Sequence, residues 1–340
     1  MLLPAQDPAA IAAAAQRLAA GSLVGMPTET VYGLAADADN ASAVQRIFDA
    51  KGRPSNHPLI VHLAAPHAQA VGPAPDWAAL VAPYARELPV FALRLMQAFW
   101  PGPLTLILPR RAEVAAVAAG GQDSVGLRCP SHPVAQALLA AARAQGVNGV
   151  AAPSANRFGR VSPTTAQHVA DEFAGLSDEQ LLILDGGACP VGIESTIVDC
   201  SRGRPVLLRP GMLTPEQIAV ACGQAVAGRD EAAPRASGTL ESHYAPQARV
   251  RIMDARSLQT ALDVLGANAS HIAVYASAAV KTGAGVARRT MPGDAAACAQ
   301  ELFAVLRALD RPDVRLIWVE APPPGPDWDG VRDRLVRAAA

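Results

Sequence analysis

Short apolar runs alternate with helical stretches along nearly the whole chain, and this alternation limits what it can fold into. SLVGM (22–26), VYGLAA (31–36), PLIVHL (58–63), LTLILP (104–109), SVGLRC (124–129), GVAAPSAN (149–156), LLILDGG (181–187), STIVDC (195–200) and PVLLRPG (205–211) read as buried strands. Between them, Asp7-Pro8 and Asn40 open two helices, a longer helical region covers roughly 78–99, and another follows Ser131 over 133–145. Ser162-Pro163 and Thr214-Pro215 open two more. Uninterrupted apolar strands alternating with helices argue an α/β sheet covered on both faces. The pattern fails at 223–247, a small, polar, unpatterned stretch that reads as a linker. Beyond it RVRIMDA (249–255), HIAVYAS (271–277) and VRLIWVEA (314–321) alternate with helices near 257–266, 294–309 and 326–338, a second unit with βαβ character. The expected division is 1–222, a linker 223–247, and 248–340.

Composition narrows the function classes. With 29 basic and 30 acidic residues the formal charge is −1, so an anion site has to be assembled from particular residues rather than from an overall basic field. The five cysteines are scattered and never form Cys-x-x-Cys, which argues against a disulfide framework or a zinc knuckle and for a reducing compartment. The first residues lack the pattern of a signal peptide, and no apolar run reaches the roughly 18 residues of a membrane span. The expected location is the cytoplasm. Only Lys51 and Lys281 are lysines, against 27 arginines, which singles out Lys51. No Walker loop, Gly-x-Gly-x-x-Gly strand turn, His-Glu-x-x-His or Gly-x-Ser-x-Gly is present.

Several polar clusters fall at strand ends, where α/β folds bind ligands. Pro27-Thr28-Glu29-Thr30 is either an ordinary polar turn or a ligand-binding one. Lys51-Gly52-Arg53-Pro54 through His57-Pro58, followed by His62, forms a stiff cationic loop suited to phosphate oxygens; alternatively Lys51 merely complements a helix dipole. Arg128, beside Ser124 in an apolar strand, reads either as a site residue or as a residue on the solvent face. Pro153-Ser154-Ala155-Asn156 brings small residues near the backbone, with Ser154 and Asn156 on one strand face at period two. Ser162 reads as an N-cap, Glu194-Ser195 as a strand entry, and Arg209 as facing a phosphate or solvent.

In order and spacing, PTETVYGL, KGRP…HPLIVH, WPGPLTLIL, SVGLRCPSHP, APSAN, GIESTIVD and LLRPG resemble the YrdC-type threonylcarbamoyl-AMP (L-threonylcarbamoyladenylate) synthase family. The Lys-x-Arg…Ser-x-Asn signature of that family falls on Lys51, Arg53, Ser154 and Asn156. The resemblance covers roughly residues 8–215, and His243-Tyr244-Ala245-Pro246 with the trailing unit resembles the two-domain branch. It implies a twisted open mixed sheet around a deep groove, with a smaller Rossmann-like α/β domain at the C-terminus. It also implies condensation of L-threonine, bicarbonate or carbon dioxide, and ATP into L-threonylcarbamoyl-AMP and pyrophosphate. A tRNA threonylcarbamoyl transferase system then uses the product.

Carried over by motif, threonine meets Thr30, His62, Arg128, backbone around Ala152, and Ser195. ATP meets Lys51, Arg53, His57, Ser124, Ser154, Asn156, Ser162 and Arg209, with Lys51 and Arg53 as the catalytic cations. His57 departs from the asparagine common in the family. Leu240-Glu241-Ser242 departs from a Lys-Tyr-Lys found in some relatives, while His243 and Tyr244 remain as a linker gate. Mg2+ is expected to arrive on ATP, with no dedicated protein metal site. Direct contact with tRNA is left open, and a non-catalytic RNA-binding module of the same fold is the competing reading. Near-zero charge and 4% aromatics weigh against it.

Overall fold

The computed structural model describes residues 1–66, 75–240 and 242–340, and contains one large mixed sheet and one small parallel sheet. The large sheet has eleven strands. From one edge they are Leu2–Pro4, Leu181–Asp185, Leu23–Met26, Gly33–Asp37, Val150–Ala151, Ile60–His62, Ser124–Arg128, Leu104–Pro109, Thr196–Asp199, Val206–Arg209 and Ala227–Gly228. The small sheet runs Arg249–Met253, Leu316–Glu320, Ile272–Ala276, Ala287–Thr290, all parallel. No helix among the described residues is long and apolar enough to cross a membrane.

The two halves of the large sheet are covered differently, and the difference creates the site. Around Leu23–Met26 and Leu181–Asp185 both faces carry helices. Pro8–Ala19 and Pro133–Arg143 pack Ala14, Ala15, Leu18, Leu138 and Leu139 against Val24, Met26 and Leu182. On the opposite face Ile47 and Phe48 of Ala41–Lys51 lie in one cluster with Leu34, Ala36 and Ile183. In the other half, Val61, Leu127, Leu106 and Val198 face the same helical core. Their neighbours Ile60, Ile107, Ile197, Val206 and Leu208 face away, and Ala236 of the linker covers them. The expectation of helices on both faces therefore fails in this half, where an irregular segment roofs the sheet.

Other expectations also change. The region 78–99 is two helices, Trp77–Val81 and Val90–Phe99; Pro83 and Pro89 interrupt the ladder that a single helix needs. Ser162-Pro163 does not open a helix. The helix is Ala166–Glu172, capped by the Thr165 hydroxyl, and the Ser162 hydroxyl turns inward instead. The strand of GVAAPSAN ends at Ala151, so Ser154 and Asn156 do not share a strand face; Ser154 makes an isolated bridge to Gly33. The caps at Asp7, Asn40 and Thr214 form as their residue types suggest.

The C-terminal domain is welded to the sheet by apolar contact. Val31, Val161 and Ile193 share a cluster with Tyr244, Leu302, Phe303, Val331 and Leu335. Gly192 makes the close approach possible: its φ is +82°, and a Cβ there would stand 2.3 Å from the Gln300 carbonyl oxygen. Gly192→Ala should therefore cost about 2 kcal/mol or more, through left-handed strain and overpacking. Gly175→Ala, with open space around it, should stay within about 0.5 kcal/mol of the parent. Denaturant titration of the two variants checks this, and equal stabilities would contradict the packing described.

Candidate active site

Strand register assembles the site. His62 lies opposite Arg128 and Arg128 opposite Thr105, so three neighbouring strands present one polar row toward the helix-free face. Small residues let the next segments close in. Leu34 and Ala155 bond the 153–155 and Tyr32 backbone, and a Cβ on Gly33 would touch that of Ala152 at 3.0 Å. The result is a cavity of about 30 Å3 lined by Thr30, Arg53, His62, Arg128, Ala152, Ser154, Ser195 and Arg209, and roofed by Ser237, Gly238, His243 and Tyr244 of the linker. Ten residues singled out from the sequence thus converge, although 214 positions separate the first from the last.

Arg128 does not lie on a solvent face: it is buried. One Nη approaches the Glu29 carboxylate at 2.7 Å without hydrogen-bond geometry, and the other donates to Thr30 Oγ1 at 2.9 Å. The guanidinium therefore lines the cavity with one Nη held by ion pairing rather than by a hydrogen bond. Arg209 donates to the Ser195 carbonyl and hydroxyl and to the Ser237 carbonyl, linking sheet to roof. Ser195 and Thr105 hydroxyls meet at 2.8 Å. Arg53 donates to the Pro58 carbonyl at 2.9 Å, while its buried Nε has no partner.

The remaining residues stand outside the cavity lining. Lys51 ends its helix before a left-handed Gly52, and its Nζ donates to the Ser154 and Asn156 carbonyls at 2.6 and 2.5 Å. Burial, followed by repulsion from Arg53, pulls its pKa well below the ordinary value. Asn156 donates to the Arg157 and Arg160 carbonyls and leaves a buried Oδ1 unpaired. The Ser162 hydroxyl donates to Glu194 at 2.5 Å. Ser124 lines an adjoining cavity that shares Ile60 and Ser237 with the first. His57 packs on the edge of Phe158, 5.4 Å between rings.

Three contributors escaped the sequence reading. Phe158 gathers His57, Arg53 and His243 around its ring, yet one phenylalanine in a loop carries no signal. Glu29 belongs to a cluster already singled out, but nothing local shows that it meets Arg128. Arg334, from the last helix, contacts Glu194 beside the cavity. The linker gate residues are both buried: Tyr244 adopts φ +63°, a left-handed conformation costly for a bulky residue, and stacks near His243 and Phe303. Glu241 lies outside the described residues. Among the described residues no group of three or more His, Cys, Asp or Glu is placed to hold a metal.

Residues 16–211 match the family model of Sua5, YciO and YrdC, described as telomere recombination, and residues 213–340 match the model described as threonylcarbamoyl-AMP synthase, C-terminal domain. The chain is 43% identical over 239 residues to a threonylcarbamoyl-AMP synthase of Pyrococcus abyssi, covering 69% of this chain and 65% of that protein, just under two thirds of its length. It is 42% identical over 260 residues to the Bacillus subtilis threonylcarbamoyl-AMP synthase, covering 74% and 68%. The crystal structure of Pyrococcus abyssi Sua5 complexed with L-threonine superposes with a TM-score of 0.86 at 34% identity, over 98% of this chain and 95% of that one.

Burial, reinforced by Arg128, pulls the His62 pKa from 6.5 down to about 3; burial does the same to His243 against the opposing pull of Glu194, with Arg53, Lys51 and Arg209 adding to it. Both imidazoles stay neutral in the folded protein, whereas the unfolded chain binds protons first as pH falls. The stability they contribute is full above pH 6.5 and is lost progressively toward pH 3. Acidifying from about pH 7 to about pH 5 should cost about 2 kcal/mol for each histidine. Melting temperatures across that range check this: His62→Gln should shallow the slope, and an unchanged slope would refute the assignment.

Proposed function

Because the chain belongs to the Sua5, YciO and YrdC family and carries the threonylcarbamoyl-AMP synthase C-terminal domain, we propose that it condenses L-threonine, carbon dioxide or bicarbonate, and ATP to L-threonylcarbamoyl-AMP and pyrophosphate. One observation carries the reading. Arg53, Arg128 and Arg209 line a buried cavity where, among the described residues, Glu194 is the one lining carboxylate, a balance that suits an amino-acid carboxylate beside a triphosphate.

The chemistry needs no covalent enzyme intermediate. The threonine amine adds to carbon dioxide and loses a proton, giving a carbamate. A carbamate oxygen attacks the α-phosphorus of ATP, and the bond to the leaving pyrophosphate breaks. Arg128 holds the threonine carboxylate, with Thr30, His62, Ala152 and Ser195 around it. Arg53 and Lys51 neutralise charge on the triphosphate, and Ser154, Asn156, Ser162, Ser124, His57 and Arg209 border the nucleotide. Catalysis is then alignment and charge neutralisation in a water-poor site. Mg2+ enters as the ATP complex, because Glu194 is already engaged by Ser162 and Arg334.

A space of about 30 Å3 holds roughly one water, so the roof of His243 and Tyr244 has to lift to admit substrates and close again to shield the labile carbamate. The adenylate passes to a tRNA threonylcarbamoyl transferase system, and the reaction takes place in the cytoplasm.

Pyrophosphate and a threonine-containing adenylate should appear only when ATP, L-threonine and bicarbonate are all supplied. Lys51→Gln or Arg53→Gln should lower turnover by about 10²-fold, the scale of a lost charge-stabilising donor. Arg128→Gln should chiefly raise the KM for threonine. Pyrophosphate release that ignores threonine would overturn the proposal.

A further inference from the structure

The last helix, Asp329–Ala339, sends one guanidinium across the domain boundary into the wall of the site. Arg334 is fully buried. Its Nε donates to Glu194 Oε2 at 2.9 Å, one Nη donates to the Glu194 carbonyl at 3.0 Å, and the other Nη donates to the Pro210 carbonyl at 2.6 Å and to Asp333 at 2.9 Å. Its guanidinium carbon also lies 5.6 Å from the Tyr244 ring centre. Apart from Asp333 on its own helix, each contact belongs to the cavity or adjoins it: Glu194 is in the lining beside Ser195, Pro210 follows Arg209, and Tyr244 is in the roof. The free carboxylate oxygen of Glu194 accepts the Ser162 hydroxyl, and Arg307 of the helix Ala295–Leu309 donates to the Val161 and Ser162 carbonyls and to Glu172. The helix comes close because residue 330 is glycine, where a Cβ would stand 2.8 Å from the Gly211 carbonyl oxygen.

A buried ion pair is by itself a poor source of stability, since desolvating both charges offsets most of their attraction. The planar fork of Arg334 gains something else: it ties three backbone and side-chain acceptors from two site strands to one rigid group, a geometry that a lysine ammonium does not reproduce.

We propose that Arg334 is a positioning residue for the condensation, holding Glu194 and Pro210 so that Ser195, Arg209 and Ser162 keep their places, and that the C-terminal domain thereby completes the active site. The inference rests on the activity proposed above for its kinetic readout, and on threonine binding for an independent one.

Arg334→Lys in the full chain is the test, with Gly330→Ala as a second variant that leaves every charge in place and pushes the helix away from Gly211. Steady-state kinetics, threonine titration by calorimetry and thermal melting are measured on each. Arg334→Lys should raise both the KM and the calorimetric Kd for threonine tenfold or more, and Gly330→Ala should raise them severalfold. Loss of folded fraction alone would lower the rate and leave KM and Kd unchanged, so unchanged values in either folded variant overturn the proposal. If the parent binds threonine but releases no pyrophosphate, weaker binding in Arg334→Lys still supports the positioning role while the activity reading fails. If the parent binds no threonine, both fall.

Discussion

The structure depends on keeping several guanidinium groups out of water around one end of the large sheet, three lining the cavity and one reaching in from the last helix. Arg53, Arg128, Arg209 and Arg334 are all buried, and each would cost several kcal/mol if left without partners. Arg209 and Arg334 are satisfied mainly by carbonyls of neighbouring loops and by Glu194. Arg53 keeps a buried Nε without a hydrogen-bond partner, and one Nη of Arg128 is ion-paired to Glu29 without hydrogen-bond geometry. Arg334 stands behind the cavity wall, while Arg53, Arg128 and Arg209 line the cavity itself.

The roof follows from the same constraint. Ile60, Ile107, Ile197 and Leu208 point away from the helical core, so the chain must supply apolar cover there, and Ala236 of the linker does so. A helix would fill the groove permanently. The irregular segment is fastened instead through Ser237 to Arg209 and Arg53 by a few hydrogen bonds. Under that roof, burial lowers the pKa of His62 and His243 to about 3.

The second domain shares this economy of contacts. Its cluster with Val31, Val161 and Ile193 gives it a fixed seat beside the cavity, and Arg307 and Arg334 use that seat to hold the segments around Ser162 and Glu194. Apolar packing sets where the helices lie, while the arginines fix orientation. A rigid body brought in from the end of the chain thus stiffens loops that come from its middle.

Periodicity alone was enough to reveal the α/β character and a second, smaller unit, because burial on a pleated or helical surface leaves its mark on neighbouring residues. Residue chemistry in local clusters drew attention to Lys51, Arg53 and Ser154, whereas Arg128 read locally as a site residue or a solvent-facing one, and Ser195 gained a ligand role only through the family resemblance. The single helix over 78–99 and the cap at Ser162 were misread, since prolines and a hydroxyl have meanings that depend on what lies beyond the segment. The meeting of Glu29 with Arg128, of Phe158 with His57 and His243, and of Arg334 with Glu194 across 140 positions came only with the tertiary structure. Partners of buried charges are chosen by which surfaces the fold brings face to face, and no spacing along the chain records that choice.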